Sequence, residues 1–496
     1  MRLRRAGFTP LSSALGRRKP LGAARNRLLL LLLTAAIALT ASSWLGGYRA
    51  SQAALAAPPN REMASPAEGE RILIFAPHPD DEMLGCGGLI QAALARGAEV
   101  HVALMTNGDA SELSLVFGER ELSRKPRAFI DLGRTRQQES IAALGSLGLP
   151  AERIYFLGYP NNGLVALWRP DHWLRASPYR SPYTAAIASP YQRSFTPAAA
   201  YAGEQVLSDV VALLEQVKPD AVYVTHPQDI HPDHWATCAF VSYGLATVAA
   251  QNADSWASRT RLYGYLIHWP HFPSPGRLRP KLPLKPPREI VTTRADWIEL
   301  PLSPDETERK LDATRMYRSQ LPSLDRLLLN FVRANELFAR LHVREVQTTD
   351  ALVWVDDSNR RRNLHGADVA EVTLEIRPDS RIKAELTRAP NKLGKGAYVS
   401  LDLRSWDASG RPVIENVTIA RGVHPKGLLV EHEEVRVLPV AVSSLGPGRV
   451  TINGLRVPGT AGHPRTCLVT CWGSVNDKVT DPAVVARVES AASVSD

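Results

Sequence analysis

The segment Ile72–Gly88, ILIFAPHPDDEMLGCGG, constrains the fold more than any other part of the chain. It begins with an apolar run typical of a buried β-strand and ends with a glycine-rich pattern typical of a helix. His78, Asp80, Asp81 and Glu82 stand between the two. The alternative is that these carboxylates only cap the helix, but capping needs one acidic residue and does not explain the histidine. The segment therefore predicts strong chemistry at a strand end.

A second strand end of the same kind lies much further along the chain. Ala221–Thr225, AVYVT, is again typical of a strand, and the residues HPQDIHPDH follow it before another helical pattern. This second cluster contributes His226, Asp229, His231, Asp233 and His234. Ligands bind outside the carboxyl ends of the strands in an open parallel sheet, so we expect the two clusters to meet in one crevice.

Helical and strand patterns alternate around these motifs. Helical spacing precedes strand-like runs three times, at Leu89–Arg96 before Glu99–Met105, at Arg134–Leu147 before Ile154–Leu157, and at Glu204–Val217 before Ala221–Thr225. Such alternation predicts parallel βαβ units with right-handed crossovers. Helical spacing at Lys310–Gln320 and Leu324–Leu341 closes the region. We predict an α/β fold, a Rossmann-like three-layer sandwich with a mostly parallel sheet, over residues 70–346.

The pattern changes after residue 346. Short alternating segments such as VTLEI, AYVSLDL and RVTINGLRV are separated by Gly, Pro, Asn and Asp. This pattern predicts a C-terminal all-β, sandwich-like domain over residues 347–496. Its role is open at this point between a glycan-binding module, a docking surface and a structural cap.

The charge of the chain is concentrated at its N-terminus. The formal net charge is +9, and residues 1–57 contain nine Lys and Arg residues and no acidic residue, so the remainder is neutral. A neutral folded part gives no electrostatic reason to expect binding to nucleic acid, and we exclude nucleic acid as a partner.

The basic residues precede an apolar run that suits a membrane. Residues 1–27 form the basic segment, and Leu28–Leu45 is close to the ~20 residues needed to span a bilayer. We predict a transmembrane or signal segment at 28–45 and a linker at 46–69, with small residues near the run leaving cleavage open. The charge asymmetry predicts that the rest of the chain lies outside the cytoplasm, anchored or secreted, which is the periplasm if the cell is Gram-negative.

The two motifs resemble those of the PIG-L/LmbE-like family of zinc-dependent N-acetylglucosaminyl de-N-acetylases. APHPDDE at Ala76–Glu82, followed by GCGG, and HPDH at His231–His234 carry the resemblance. TNGDA at Thr106–Ala110, the RxxE of Arg136 and Glu139, and PDAVYVTHP at Pro219–Pro227 are also similar to that family. The resemblance covers residues 70 to 340, roughly, and does not extend to the C-terminal region.

This resemblance implies a zinc hydrolase that removes the acetyl group from an amino sugar or glycoconjugate. It makes His78, Asp81 and His234 the zinc ligands, with a further position open for water. It also makes Asp80 the general base, and His231 the group that stabilises the oxyanion or protonates the leaving amine. Asp233 or Asp229 would then orient a ring nitrogen.

Three further residues are candidates for substrate binding. Arg136 would hold the polar end of the substrate, or would instead pair with an acidic neighbour on a helix surface. Asn161 and Trp168 lie in the aromatic, proline-rich segment Asn161–Ala200, which we predict to be a binding loop or an ordered surface loop without a ligand. Trp168 would stack on a sugar ring. The resembling family often carries Asp where this sequence has Asn161 or Asn162.

Other function classes remain open. A membrane-tethered glycan-binding protein with a degenerate hydrolase domain would be favoured had His78, Asp80, Asp81 or His234 been replaced, and none is. Another metal-dependent amidase is a further alternative. A sugar transferase that holds a metal for a phosphorylated donor is disfavoured by the histidines in the ligand set.

Overall fold

The computed structural model of the chain describes residues 61–112, 114–119, 124–251, 256–287, 290, 296–341, 344–346, 351–353, 369–376, 381–388, 393–407, 409–431, 434–446, 448–456, 466–475, 478–481 and 486–489. The predicted basic segment at 1–27 and membrane segment at 28–45 lie outside these residues, as do positions 46–60 of the predicted linker. Within the described ranges, no helix has the length and apolar character to cross a membrane.

A mostly parallel sheet forms the centre of the α/β region. Its eight strands are β1 (Arg61–Glu62), β2 (Arg71–Ala76), β3 (Glu99–Thr106), β4 (Ile154–Tyr159), β5 (Ala221–Thr225), β6 (Arg261–Tyr265), β7 (Asp296–Pro301) and β8 (Asn335–Leu341). They lie in the order β1-β7-β8-β6-β5-β2-β3-β4. The strands from β6 to β4 are parallel, and β8 is antiparallel to both of its neighbours. The predicted α/β class is confirmed.

Helices cover both faces of this sheet. They include α1 (Asp81–Ala95), α2 (Pro126–Ser146), α3 (Leu164–Trp168), α4 (Gly203–Val217), α5 (Pro232–Gln251), α6 (Pro304–Thr314) and α7 (Leu321–Asn330). In β2, Ile72 and Ile74 belong to one buried cluster and Leu73 and Phe75 belong to another. Successive side chains of a strand point to opposite faces, so a strand buried on both faces is apolar throughout. This arrangement is the predicted three-layer sandwich.

The strand order brings the two motif-bearing strand ends together. Strand β2 is hydrogen-bonded to β3 on one side and to β5 on the other, with Ile74 opposite Tyr223. From β2 the chain continues to β3 and β4 on one side of β2, and it then crosses over to β5 on the other side. This reversal is the topological switch point at which open α/β sheets bind ligands.

The glycines of the GCGG segment allow α1 to lie close to the sheet and to its neighbours. A Cβ atom at Gly85 would lie 2.3 Å from Cδ2 of Tyr265, whose hydroxyl donates a hydrogen bond to the carbonyl of Phe75 at 2.8 Å. A Cβ atom at Gly88 would lie 2.4 Å from Cδ2 of Leu302. Larger side chains at these positions would push the helix away from the strand that it follows.

The substitution Gly85→Ala is expected to lower the free energy of unfolding by about 1–3 kcal/mol, because the added methyl group has no space beside the buried Tyr265 ring. Gly145 in α2 is a matched control, since no atom lies within 4 Å of a Cβ built there. Gly145→Ala should raise the free energy of unfolding by about 0.5–1 kcal/mol through helix propensity. Urea unfolding of both variants checks the opposite signs; equal shifts would contradict the close approach.

The C-terminal region is built mostly from antiparallel strands. They are β9 (Arg344–Val346), β10 (Ala351–Val353), β11 (Val369–Ile376), β12 (Arg381–Arg388), β13 (Ala397–Trp406), β14 (Pro412–Ala420), β15 (Lys426–Glu431), β16 (Glu434–Leu438), β17 (Ala441–Gly446), β18 (Arg449–Arg456), β19 (Thr466–Val475), β20 (Lys478–Asp481) and β21 (Ala486–Glu489). One sheet has the order β10-β11-β12-β18-β17, and the other has the order β16-β15-β14-β13-β19-β21-β9 with β20 on β19. Leu386 and Ile452 of the first sheet and Leu401 and Val469 of the second belong to one buried cluster. The predicted sandwich is confirmed, and we refer to it as the β-domain.

Two predicted boundaries are corrected by the structure. Strand β9, Arg344–Val346, pairs with β21, so these residues belong to the β-domain and not to the α/β region to which we assigned them. The helix predicted over Leu324–Leu341 ends at Asn330, and its last residues form β8. Strand β8 is paired on both sides, by β6 and β7, and this sheet context overrides the helical spacing of its side chains.

Candidate active site

The structure brings all of the predicted site residues except Trp168 to the switch point. His78 lies in the loop after β2, and Asp81 begins α1; both side chains are almost fully buried. His234 lies in the first turn of α5, which follows β5, and is fully buried. A cavity of about 320 Å³ opens beside them and is lined by Asp80 and His231 among others.

Three ligand atoms form a compact triangle. Nδ1 of His78 lies 3.0 Å from Oδ2 of Asp81 and 3.3 Å from Nε2 of His234, and the latter two atoms are 3.1 Å apart. Ligands bound to a tetrahedral zinc at ~2.0–2.1 Å lie about 3.3–3.4 Å from one another, so the triangle fits a cation of this size. His231 and His268 add imidazoles within reach of the same position. The mixture of imidazole and carboxylate suits zinc and other first-row divalent metals.

Buried carboxylates orient both ligand histidines. Oδ2 of Asp229 lies 3.1 Å from Nδ1 of His234 and also accepts hydrogen bonds from the backbone N–H groups of Ile267 and His268. Oδ2 of Asp233 lies 3.2 Å from Nε2 of His78. Both aspartates thus act on ring nitrogens of proposed ligands, as outer partners of metal-binding histidines commonly do.

The carboxylates create a negative field at the triangle. Burial lowers the pKa of His234, but Asp229 and Asp81 outweigh burial and raise this pKa to about 10. Burial raises the pKa of Asp81, but His234 and His78 hold this pKa well below its usual range. A field that holds a proton on His234 would also favour a divalent cation, and that proton would have to leave for His234 to serve as a ligand.

Asp80 is held next to the triangle by a strained backbone. Its φ angle of 113° lies in a region that residues other than glycine rarely adopt. The N–H of Asp80 donates to the Glu82 carboxylate at 3.0 Å, and its carbonyl accepts from Met83 and Leu84, both at 2.9 Å. Burial, followed by the charge of Asp81, raises the pKa of Asp80 to about 8.

Arg136, on α2, stabilises this strained turn through hydrogen bonds. Its guanidinium donates to the carbonyl of Gly108 at 2.7 Å and of Pro79 at 2.6 Å, and it lies 3.3 Å from Oδ2 of Asp80. The side chain is only 4% exposed, so the alternative of an arginine paired on a helix surface is wrong. Arg136 also lines the cavity, and a contact with substrate stays a prediction.

The substitution Arg136→Met is expected to lower the free energy of unfolding by roughly 3 kcal/mol, because it leaves buried carbonyl groups and the Asp80 carboxylate without their partner. Arg134 is a matched control on the same helix, since its side chain is 55% exposed and pairs with Asp131. Arg134→Met should change the stability by less than about 0.5 kcal/mol. Chemical denaturation measures the free energy of unfolding of both variants, and similar losses of stability would refute the stabilising role of Arg136.

His231 is placed to donate a hydrogen bond. Its Nδ1 accepts the backbone N–H of Asp233 at 3.2 Å, so the neutral ring carries its proton on Nε2. Burial, followed by the charges of His78 and His234, lowers the pKa of His231 well below its usual range. A neutral imidazole at pH 7 favours stabilising an oxyanion over protonating the leaving amine. The ring nitrogens next to the Asp233 and Asp229 carboxylates are those of His78 and His234.

His268 is a site residue that the sequence motifs did not reveal. Its ring centroid lies 4.7 Å from that of His234 and 5.1 Å from that of His231. The sequence feature that could have identified His268 is its position, three residues after Tyr265. Tyr265 is the last residue of β6, the strand next to β5. No motif marks the segment, so the strand end alone would have had to identify it.

The substrate-side predictions have different outcomes. Asn161 and Asn162 are polar residues of the cavity lining. Apolar side chains also line it, namely Leu84, Leu324 and Leu327. Trp168 is fully buried, so the prediction that it stacks on a sugar is wrong.

The buried position of Trp168 has a structural cause. Its ring packs edge-on against the rings of Trp173, Trp235 and Phe240. The guanidinium of Arg404 in the β-domain lies over its face. This part of the loop thus forms an internal packing surface rather than a wall of the cavity.

Comparison with known proteins finds relatives of part of this chain. Residues 73–243 match the model of the family described as GlcNAc-PI de-N-acetylase, PIG-L. A 1D-myo-inositol 2-acetamido-2-deoxy-alpha-D-glucopyranoside deacetylase of Mycolicibacterium smegmatis is 32% identical over 191 residues, which are 38% of this chain and 57% of that protein. The Mycobacterium tuberculosis protein of the same name is 32% identical over 170 residues, which are 34% of this chain and 48% of that protein.

A solved structure is also among the matches. The N,N'-diacetylchitobiose deacetylase of Pyrococcus horikoshii matches with a TM-score of 0.33 and 19% identity, over 54% of this chain and 82% of that one. The matches to the two mycobacterial proteins span only about half of their lengths. The matched segment contains both strand-end motifs, from the end of β2 to α5. Within residues 73–243, this chain is therefore similar to the PIG-L family, described as GlcNAc-PI de-N-acetylase.

Proposed function

We propose that the protein is a zinc-dependent deacetylase that hydrolyses the N-acetyl group of an amino sugar or glycoconjugate. The observation that carries this proposal is the triangle of ligand atoms from His78, Asp81 and His234, with Asp80 and His231 beside the same cavity. The relatives support the choice of substrate, since the mycobacterial proteins are named as deacetylases of a 2-acetamido sugar.

Asp80 and His231 have separate roles in the proposed reaction. A bound zinc ion would supply Lewis acidity and lower the pKa of a water molecule to about 7. Asp80, held by Arg136 and Glu82, accepts the proton of the attacking water and returns it to the nitrogen that leaves. The Nε2–H group of His231 donates to the acetyl oxygen while that oxygen gains negative charge. The C–N bond breaks, giving acetate and a free amine.

The cavity suits a small ligand with polar and apolar portions. Its volume is at the lower end of the range for small-molecule sites, so one sugar unit with its acetyl group is the part that we expect to enter. Asn161 and Asn162 offer amide groups for sugar hydroxyls, and the leucine side chains face the less polar part of the substrate.

A substrate panel tests the proposed reaction. The full chain is incubated with N-acetylglucosamine, its inositol and chitobiose conjugates, and N-acetylated peptides of matched size, and released acetate is quantified. We expect acetate from at least one amino sugar and none from the peptides. Release from the peptides alone would replace the proposal with the alternative of a different metal-dependent amidase.

We further propose that the N-terminal segment anchors the protein in a membrane or directs its export, with the catalytic region outside the cytoplasm. The apolar run at 28–45 and the nine basic residues, most of which precede it, support this orientation. Reporters of opposite compartment preference, fused after residue 70, test the proposal. Activity of the periplasmic reporter is expected, and activity of the cytoplasmic reporter alone would contradict it.

A further inference from the structure

The β-domain packs directly behind the helix that carries His234. Ile414 and Leu468 of the β-domain belong to the same buried cluster as residues of α4 and α5. The ring of Trp472, on β19, lies 4.9 Å from that of Trp235, the residue that follows His234. The two parts of the chain therefore share a hydrophobic core at the back of the metal site.

Arg404 is the buried charge at this contact. It lies on β13, its side chain is 0% exposed, and Nη2 is 2.9 Å from the carboxylate of Asp402. Nη2 also donates to the backbone carbonyl of Trp168, and the guanidinium carbon lies 3.4 Å from the centroid of that ring. A buried guanidinium with an ion pair, a carbonyl acceptor and an aromatic face fixes all three partners relative to one another.

The helix that ends at Trp168 holds the outer partner of His78 at its other end. Helix α3 has only five residues. The N–H groups of Asn162, in the turn before this helix, and of Leu164, its first residue, donate to the two carboxylate oxygens of Asp233 at 2.6 and 3.1 Å. Asp233 in turn lies 3.2 Å from Nε2 of His78. A short rigid segment therefore joins Arg404 to a ligand of the proposed metal.

We propose that Arg404 is a positioning residue for the metal site, acting through α3 and Asp233 on the ring of His78. By fixing the carbonyl of Trp168 at the end of α3, Arg404 keeps the N–H groups of Asn162 and Leu164 on the carboxylate of Asp233. Asp233 then keeps Nδ1 of His78 in the triangle with Asp81 and His234. This role makes the β-domain a structural part of the metal site. The inference about Arg404 rests on the proposed function only in requiring that the site binds a metal.

The first test is the zinc dissociation constant of the full-length chain, measured by competition with a chelator. Arg404→Met should raise this constant about 3- to 30-fold, the range of couplings that pass through packed networks, while the near-UV circular dichroism stays native. Arg404→Lys keeps the charge but not the planar stack, so it should restore part of the affinity. Trp406→Phe is the matched control, since it removes a hydrogen bond to Thr247 at the same contact without touching α3; it should leave the constant unchanged.

A double-mutant comparison separates positioning from general loosening. In the background of Asp233→Asn, Arg404→Met should change the zinc dissociation constant much less than it does in the native chain, because the connecting carboxylate has been altered. Equal effects in both backgrounds would overturn the proposal. If Arg404→Met lacks a native near-UV spectrum, Arg404→Lys decides in its place, and an unchanged constant for that variant would also overturn it. A native chain that binds zinc but releases no acetate would refute the proposed reaction and leave this comparison intact.

Discussion

The substitution His234→Ala is expected to remove metal binding and, with it, turnover. His234 supplies one corner of the ligand triangle and is oriented by the fully buried Asp229. Losing an outer partner of a ligand costs about 10- to 100-fold in metal affinity, so losing the ligand itself should cost more than roughly 100-fold. Turnover should fall by at least about 10³-fold, because the polarisation of the acetyl group depends on the metal.

His226 supplies the control for His234, because it belongs to the same motif but stacks on Trp297 away from the triangle. Its Nδ1 accepts the backbone N–H of Gln228 at 3.1 Å, and the side-chain oxygen of Asn can take over that hydrogen bond in His226→Asn. This variant should bind one equivalent of metal and keep its activity. Metal analysis of both purified variants checks the contrast. Full metal content in His234→Ala would remove this residue from the ligand set.

Asp80→Asn is expected to separate catalysis from metal binding. Asp80 lies outside the triangle but beside it, so the variant should keep the metal and lose about 10²–10⁴-fold in turnover, the contribution of a general base. Asn also tolerates a positive φ angle better than most residues, so the strained turn at 113° should survive the change.

Asp81→Asn is the companion variant, and it should weaken the metal site because a neutral amide is a poorer ligand than a carboxylate. If the acidic residues only capped α1, both Asn variants would be nearly silent, since Asn caps as well as Asp. Metal content and kcat, measured together for each variant, distinguish these outcomes. Near-normal turnover in Asp80→Asn would exclude it as the base, and metal loss would make it a ligand.

The sequence predicted the centre of the site because its chemistry is local. Each motif directly follows an apolar strand, and β2 and β5 are neighbours at the switch point, so residues such as His78 and His234 meet without further information. The glycines of the GCGG segment predicted only a helix, and the contact of Gly85 with the buried Tyr265 ring is visible only in the structure.

The remaining features depend on contacts between distant parts of the chain. Trp168 was expected in the substrate site because aromatic loops often bind sugars, but Arg404 of the β-domain buries it, and no local pattern shows this partner. His268 was missed because it has no motif. The partners of Asp229 and Asp233 depend on which ring nitrogen faces the triangle, and residue spacing does not determine this direction.

The most direct test of the central claim is the coupled release of acetate and free amine from an N-acetylated amino sugar by the full chain, before metal removal, after it, and after zinc is returned. We expect equal amounts of both products from the native protein, none after treatment with a chelator, and recovery when one equivalent of zinc is restored. The same cycle in Asp80→Asn should restore metal content without restoring turnover. Undiminished product release from protein shown to contain no metal would contradict the account.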